Sequence, residues 1–324
     1  MAKVVREQLI RRLVDGGFIS GQILAQELNV SRTAISKHIK ALNEMGLDIF
    51  SVQGKGYKLA QPIKLLEQKA IEQYLLSLDC TNMVEVHSII DSTNSYLMRR
   101  LPNNLTNGQV CVSEYQSAGR GRRGKQWVSP FASHLYLSMY WHLEQGMSAA
   151  MGLSLVVGLA VADVLAKEYD LQVQLKWPND VYINGKKLAG ILVELEGQAT
   201  GPGNCVIGLG LNVHMPNDSA NLIDQAWTDL HQELGTNIDR NLLAAQFIQA
   251  INAKLEQHKT FGLAPMLDDW KRQDYFYNKP VQLSNGERVT RGICKGINNS
   301  GALLLEIDGK QQPVYGGEVS LRGA

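Results

Sequence analysis

The sequence predicts an α+β protein of three domains, and three observations carry that prediction. Residues 1–62 hold two short helical patterns joined by a tight connection and followed by a hairpin with a basic tip. Residues 63–275 mix helical periodicity with apolar runs of strand length. From Pro280 onward the pattern changes to four or five short strands split by turn residues, which suggests that residues 276–324 form a small β-barrel. With 324 residues, 44% of them hydrophobic and 19% charged, the chain is ordinary globular material with enough length for several cores.

Charge is unevenly placed. Residues 1–60 carry nine Lys/Arg against five Asp/Glu, and the remainder carries 23 against 26, so the positive excess sits where a nucleic-acid partner would want it. Cys80, Cys111, Cys205 and Cys294 form no CxxC pair, which argues against both a zinc site and a disulfide framework and suits a reducing cytoplasm. The N-terminus lacks an apolar core with a small-residue cleavage site, so a cytoplasmic protein is expected. Residues 145–162 are uncharged for long enough to raise a membrane span. Serines and glycines interrupt them, and Asp163, Lys167 and Glu168 continue the same helical pattern, so a buried helix and no membrane partner are expected.

In the first domain Ser20 is placed to cap a helix carrying Leu24 and Leu28, and Ser31 to cap a second with Ile35, Ile39 and Leu42 on one stripe. Arg32, Thr33, Ser36, Lys37 and Lys40 lie off that stripe, on a polar and cationic face of the kind that reads a major groove. Helix geometry alone leaves a merely solvated face as the alternative. The following hairpin, Phe50 and Val52, then Gly54-Lys55-Gly56, then Tyr57 and Leu59, favours a winged-helix DNA-binding domain with Ser31 and Lys55 among its contacts.

Pro62 marks the next boundary, and residues 63–78 are amphipathic. A strand over 84–90 ends in Asp91-Ser92-Thr93-Asn94, whose polar groups either cap the helix that follows or line a pocket above the sheet. The strand 110–114 feeds QSAGRGRRGKQW at 116–127, three glycines and four cations between apolar runs, which reads as a phosphate-handling loop. It spells both GxGxxG and GxxxxGK, yet it is neither a Rossmann nor a Walker loop. Gln126 stands where a magnesium-binding Ser/Thr belongs, arginines fill the variable positions, and Ser129-Pro130 follows where a helix should run. A solvated basic loop or RNA tether is the alternative, and the flanking strands weigh against it.

A strand over 134–141 and a helix over 148–168 come next, then a strand into Trp177-Pro178-Asn179-Asp180 and an Asn184-Gly185 hairpin turn. The returning strand, 188–195, places Lys186 and Lys187 in one hairpin with Asn179 and Asp180. Gly208 and Gly210 interrupt the buried strand 205–213 and mark close approach of a ligand or a second backbone. Residues 215–229 read as a mobile lid, and helices are expected over 241–258 and 265–274.

DSTN from 91, GRGRRGKQW from 119, KWPND from 176, KLAGIL from 187 and GLGLN from 208 together resemble the biotin protein ligases. With the winged helix in front, the chain resembles their bifunctional form, ligase and biotin operon repressor in one polypeptide. The resemblance covers essentially all 324 residues. It implies a central mixed-sheet domain of the class II aminoacyl-tRNA synthetase and biotin ligase type, and an SH3-like C-terminal barrel. It implies ATP-dependent formation of biotinyl-5′-adenylate, then transfer of biotin to a lysine of the biotin carboxyl carrier protein of acetyl-CoA carboxylase. Arg122, Lys187 and Asp180 are its implied catalytic residues, with Mg2+ at Asp180. Biotin falls to Ser92, Thr93, Asn94, Gln116, Gly119, Arg120, Arg122, Lys187 and Gly190. ATP and the adenylate fall to Arg122, Arg123, Trp127, Asn179, Asp180, Lys187, Asn212 and Trp227. Operator DNA and a homodimer in the adenylate-bound state are the other implied partners. Two departures stand out: Val128 follows Trp127 where the family pattern has phenylalanine, and the lid, 215–226, matches in placement more than in sequence. The contrasting readings are a non-catalytic biotin-sensing repressor and a lipoyl ligase, which shares the adenylate chemistry.

Overall fold

The computed structural model describes residues 2–14, 16–144, 146, 150, 152–197, 202–285, 288–316 and 319–323. Its first unit is built from α1 (Ala2–Leu13), α2 (Gly21–Glu27), α3 (Arg32–Glu44) and a hairpin of β1 (Ile49–Val52) and β2 (Gly56–Leu59). Ser20 and Ser31 cap α2 and α3 as expected, accepting from the backbone N–H of Ile23 at 3.2 Å and of Ala34 at 3.1 Å. Leu24, Ile35, Ile39 and Leu42 are buried, while Leu28 is only half-buried at the end of α2. Sequence reading passes over α1. No N-terminal cap announces it, and arginines crowd the apolar positions, yet Val5, Leu9 and Leu13 recur every four residues and are buried. In the hairpin Ile49 and Leu59 point inward, leaving Phe50 51% exposed.

The central unit is a seven-stranded mixed sheet. Its strands are β3 (Val84–His87), β4 (Val110–Ser113), β5 (His134–Leu143), β6 (Gln174–Lys176), β7 (Asp180–Ile183), β8 (Lys186–Gly197) and β9 (Gly203–Asn212). They lie in the order β3-β4-β5-β9-β8-β7-β6, with β3 and β4 parallel and every other pair antiparallel. Three helices, α4 (Gln68–Ser77), α6 (Leu153–Tyr169) and α9 (Arg240–Phe261), supply apolar residues to the core on one face. The short α5 (Thr93–Met98) lies against the other face. Strand alternation does the sorting: Leu135, Leu137 and Met139 with Ile207, Leu209 and Leu211 join the helix-side core. Ser138, Gly208 and Gly210 are thereby left for the opposite face.

Several boundaries move for local reasons. Residues 63–67 are not helical because their amides are used elsewhere, the Leu66 N–H by Glu114 Oε1 and the Glu67 N–H by Asn241 Oδ1 at 2.8 Å. Gly152, at φ 88°, directly precedes α6, and the start expected at Ser148 lies outside the described residues. No described helix is long and apolar enough to cross a membrane. The segment 215–229 is more organised than a free loop. It contains α7 (Asn217–Ala220), pairs Trp227 with Lys187, and buries Asp229 as the N-cap of α8 (Leu230–Leu234).

The C-terminal unit follows α10 (Leu267–Gln273), which starts two residues later than expected behind a single 3-10 turn. Strands β10 (Pro280–Asn285), β11 (Arg288–Ile297), β12 (Leu303–Ile307), β13 (Lys310–Val314) and β14 (Val319–Gly323) form an antiparallel sheet in the order β13-β12-β11-β10-β14. Among the turn residues that split these strands in the sequence, Asp308 and Gly309 both have positive φ, while Gly286 and Gly317 lie outside the described residues. Trp177 Nε1 donates to Gly301 O at 3.1 Å and the Tyr275 N–H to Leu175 O at 2.9 Å, tying this unit to the sheet edge.

The first unit is tied on differently. Phe131, 2% exposed, completes the hydrophobic cluster of the helical unit, and its N–H donates to Met45 O at 2.9 Å. Gly46 makes the approach possible: its φ is 95°, and a Cβ there would lie 2.9 Å from Pro130 Cβ.

His134 gives the core a pH sensitivity. It is fully buried on β5, its Nδ1 accepts from the Val213 N–H at 3.1 Å, and burial pushes its pKa down to about 4. The unfolded chain takes up a proton near pH 6.5 that the folded chain refuses, so stability is complete above that pH and is lost as pH falls toward 4. The loss expected from this residue is about 3 kcal/mol. Urea unfolding at pH 7.5 and 4.5 measures it, and His134→Asn should flatten the dependence. An unchanged pH profile in that variant would remove His134 as the cause.

Candidate active site

On the face opposite α6 and α9, a cleft of about 230 Å3 opens between the sheet, the basic loop and β14. The loop folds back on itself. Gly121 N–H donates to Lys125 O at 2.7 Å, Trp127 N–H to Gly119 O at 2.9 Å, and Arg120 bridges Gln126. A tight 3-10 turn, Arg122–Gly124, forms its tip, with Arg123 at φ 59° and its side chain exposed. No long helix starts there, in keeping with the exclusion of Walker and Rossmann loops.

One end of the cleft is lined by neutral amides and hydroxyls, with the Arg120–Glu194 ion pair set against them. Gln116 Oε1 accepts from the Thr93 N–H at 2.9 Å and from Thr93 Oγ1 at 3.1 Å, and Ser138 Oγ lies 2.7 Å from Thr93 Oγ1 and 2.5 Å from Asn94 Oδ1. Both roles considered for the Asp91-Ser92-Thr93-Asn94 junction are realised. Ser92 Oγ caps α5, accepting from the Ser95 N–H at 3.4 Å, while Thr93 and Asn94 line the cleft.

The other end is cationic. Lys187 Nζ lies 2.8 Å from Asp180 Oδ1 and 5.5 Å from the centre of the Trp127 ring. The Asn184-Gly185 turn, with φ 49° and 79°, closes the hairpin that brings the pair together. Arg122 Nη1 donates to Asn179 Oδ1 at 3.2 Å, and Asn179 Nδ2 to Ile191 O at 2.8 Å. Burial works against the charge of Arg122 and lowers its pKa, with Asp180 partly offsetting this. Lys176, also in the wall, is likewise pulled below the usual lysine range by burial. Buried cations are costly unless an anion is near, so this end is suited to phosphate.

Trp127 lies against the sheet beside Lys187. A Cβ on Gly210 would be 2.6 Å from its Cε2 and one on Gly190 3.0 Å from its Cζ3, so glycine at these paired positions makes room for the indole. Gly119 sits in similar confinement, 2.6 Å from Ser129 Oγ by the same measure.

Not every expected residue reaches the cleft. Asn212 and Trp227 stand behind its wall: Asn212 Nδ2 donates to Thr228 O at 3.0 Å, and Trp227 pairs with the Lys187 backbone. Arg120 does line the cleft, with its guanidinium hydrogen-bonded to Glu194 and Ser95. Ser138, Glu194 and Arg322 were not anticipated. Ser138 and Glu194 look like ordinary strand residues until the sheet is assembled, and Arg322 reaches the cleft from the far end of the chain. Lys176 was visible in KWPND without a role.

Asp180 is the carboxylate beside the cations, and no group of three or more metal-ligating side chains occurs among the described residues. A single carboxylate fits magnesium that takes its other ligands from water and substrate phosphates. On the helical unit Ser31, Arg32, Thr33, Ser36, Lys37, Lys40 and Lys55 are all exposed, so a nucleic acid can reach them.

Comparison with known proteins bears on all three units. The profile of the biotin/lipoate A/B protein ligase family matches residues 86–212, an HTH domain matches 5–58, and the biotin protein ligase C terminal domain matches 276–322. The bifunctional ligase/repressor BirA of Salmonella typhimurium is 50% identical over 316 residues, covering 98% of this chain and 97% of that protein. The Bacillus subtilis protein of the same name is 28% identical over 324 residues, 99% of this chain and 100% of that one. Among solved structures, biotin protein ligase from Aquifex aeolicus in complex with biotin and ATP superposes with a TM-score of 0.63 at 26% identity. It covers 75% of this chain and 99% of its own.

Proposed function

Since this chain belongs to the biotin/lipoate A/B protein ligase family, we propose that its cleft joins biotin to AMP and then passes the biotinyl group to a lysine of a biotin carboxyl carrier protein. Ligase and DNA-binding repressor are combined in it, since the ligase domain and the helix-turn-helix occur in one chain. Three functional units, 1–62, 63–275 and 276–324, follow from this reading.

The observation that carries the proposal is the polarity of the cleft, neutral hydrogen-bonding groups at one end and Lys187, Arg122 and Asp180 at the other. In the first step an oxygen of the biotin carboxylate bonds to the α-phosphorus of ATP while the bond to pyrophosphate breaks. Two anions must meet, and preformed positive charge is what lowers that barrier. Lys187 serves the carboxylate and α-phosphate, and Arg122 holds the adenylate product. Thr93, Asn94 and Gln116 are assigned to the ureido ring, with Ser92 keeping α5 in place and the backbones of Gly119 and Gly190 giving access. Trp127 is assigned to the adenine side of the nucleotide, and Asn179 and Asp180 serve the nucleotide with it. Asn212 and Trp227 support Lys187 from behind, and Arg123 meets the nucleotide phosphates at the rim. Magnesium, when bound, would be held by Asp180 and would screen the charge of the phosphates. In the second step the carrier lysine attacks the acyl carbon and AMP leaves. Pyrophosphate release on adding biotin but not lipoate is the expected result, and release with lipoate alone would turn the reading to a lipoyl ligase. No release with either acid would favour a non-catalytic sensor.

For repression, Arg32, Thr33, Ser36, Lys37 and Lys40 with Ser31 and Lys55 are assigned to operator DNA. One recognition helix and one wing make few contacts, and helix-turn-helix proteins commonly pair on two half-sites. A homodimer promoted by biotinyl-adenylate meets that need, and adenylate and operator would then strengthen each other's binding. Sedimentation with and without adenylate, beside operator binding over a salt series, is expected to show both rising together. Equal dimerisation and equal operator affinity in the two states would end the coupled-switch reading.

A further inference from the structure

Arg120 belongs to the basic loop, yet its guanidinium is turned to protein. Nε and Nη2 donate to Glu194 Oε1 at 3.2 and 2.9 Å, Nη2 also to Oε2 at 2.8 Å, and Nη1 to Ser95 Oγ at 2.6 Å. A phosphate or carboxylate could take this side chain only by displacing a bidentate carboxylate already in place. The same Glu194 carboxylate accepts from Asn94 Nδ2 at 2.8 Å, and that amide also lies 3.3 Å from Leu192 O. Asn94 Oδ1 in turn reaches Ser138, and a Cβ on Gly208 would run into it, so Asn94 sits where the sheet leaves space for it.

One carboxylate on β8 therefore gathers the start of α5, the loop at Arg120 and, through Asn94, strand β5. These are the segments that form the neutral end of the cleft. The alternation along β8 puts Glu194 on the cleft face with Gly190 and Leu192, while Ile191 joins the opposite core. Glu194 itself is not part of the cleft wall.

We propose that Glu194 is a positioning residue for the biotin half-site, which fixes Arg120 and Asn94 so that the loop backbone around Gly119–Gly121 and the Thr93–Gln116 pair are held in place before biotin arrives. Arg120 is then a tether of the loop rather than a ligand of the substrate. The inference rests on the reading of the cleft as a biotin and adenylate site.

Glu194→Gln keeps the shape and removes the charge that holds Arg120. The expected result is a rise in KM for biotin of about 10-fold to 100-fold, the range for loss of a charge-assisted hydrogen bond, with KM for ATP and the thermal midpoint unchanged. Arg120→Gln should reproduce the effect, and the double variant should be no worse than either single one, because both remove the same link. Glu194→Asp, which keeps the charge, should recover part of the affinity. Wild-type KM for biotin in Glu194→Gln, or an equal rise in both KM values with a lowered thermal midpoint, would overturn the positioning role. Additive effects in the double variant would overturn the shared link. Should the wild-type chain itself fail to bind biotin, the assignment of the cleft fails instead, and the two failures are distinguished by that control.

Discussion

Lys187→Ala is expected to slow formation of biotinyl-adenylate by about 100-fold, equivalent to about 3 kcal/mol for one preorganised donor to a developing anion. The lysine is 14% exposed, lies 2.8 Å from Asp180 Oδ1 and stands over the Trp127 ring, so its charge is fixed in a site with little water. Its loss also removes the cation in direct contact with Asp180, leaving more of that carboxylate's charge to oppose the nucleotide. Single-turnover assays of each half-reaction separate these effects: both steps should slow, and ATP binding should weaken. An unchanged adenylation rate would remove Lys187 from the chemistry.

Arg122→Gly is expected to act on retention rather than synthesis. Arg122 lies at the loop tip, half-buried, with Nη1 on Asn179 Oδ1, and the loop reaches over the cleft from there. Charge-assisted hydrogen bonds of this kind contribute about 1.5–3 kcal/mol, so release of the adenylate should speed up by about 10-fold to 100-fold while Lys187 and Lys176 still support its formation. Free adenylate acylates exposed lysines, so biotinylation of bystander proteins should rise. A variant that makes no adenylate at all would move Arg122 into the chemical step.

What the sequence made legible was local. Ser31 before a helical stripe and Asn184-Gly185 between apolar runs each predict a backbone feature from chemistry within a few residues, and both features are present. Gly208 and Gly210 predicted close approach without naming what approaches, which proves to be Asn94 and Trp127. Features made by distant partners were not legible. Glu194 meets Arg120 across 74 residues, and Arg322 joins the cleft from the last strand. Phe131 reads as an ordinary apolar residue before a strand, and its place in the core of the helical unit depends on a contact with Met45. The segment 215–229 looked patternless because its order comes from pairing with Lys187 and from Asp229, not from periodicity.

The most direct test of the ligase and its two-ended cleft is a mass measurement on both proteins after incubation of the full chain with ATP, magnesium, biotin and a purified biotin carrier domain. The expected result is a carrier heavier by one biotinyl group at its acceptor lysine, with that gain dependent on ATP and absent when lipoate replaces biotin. A carrier of unchanged mass, under conditions in which the chain binds biotin, would contradict the account and leave a sensor without catalysis.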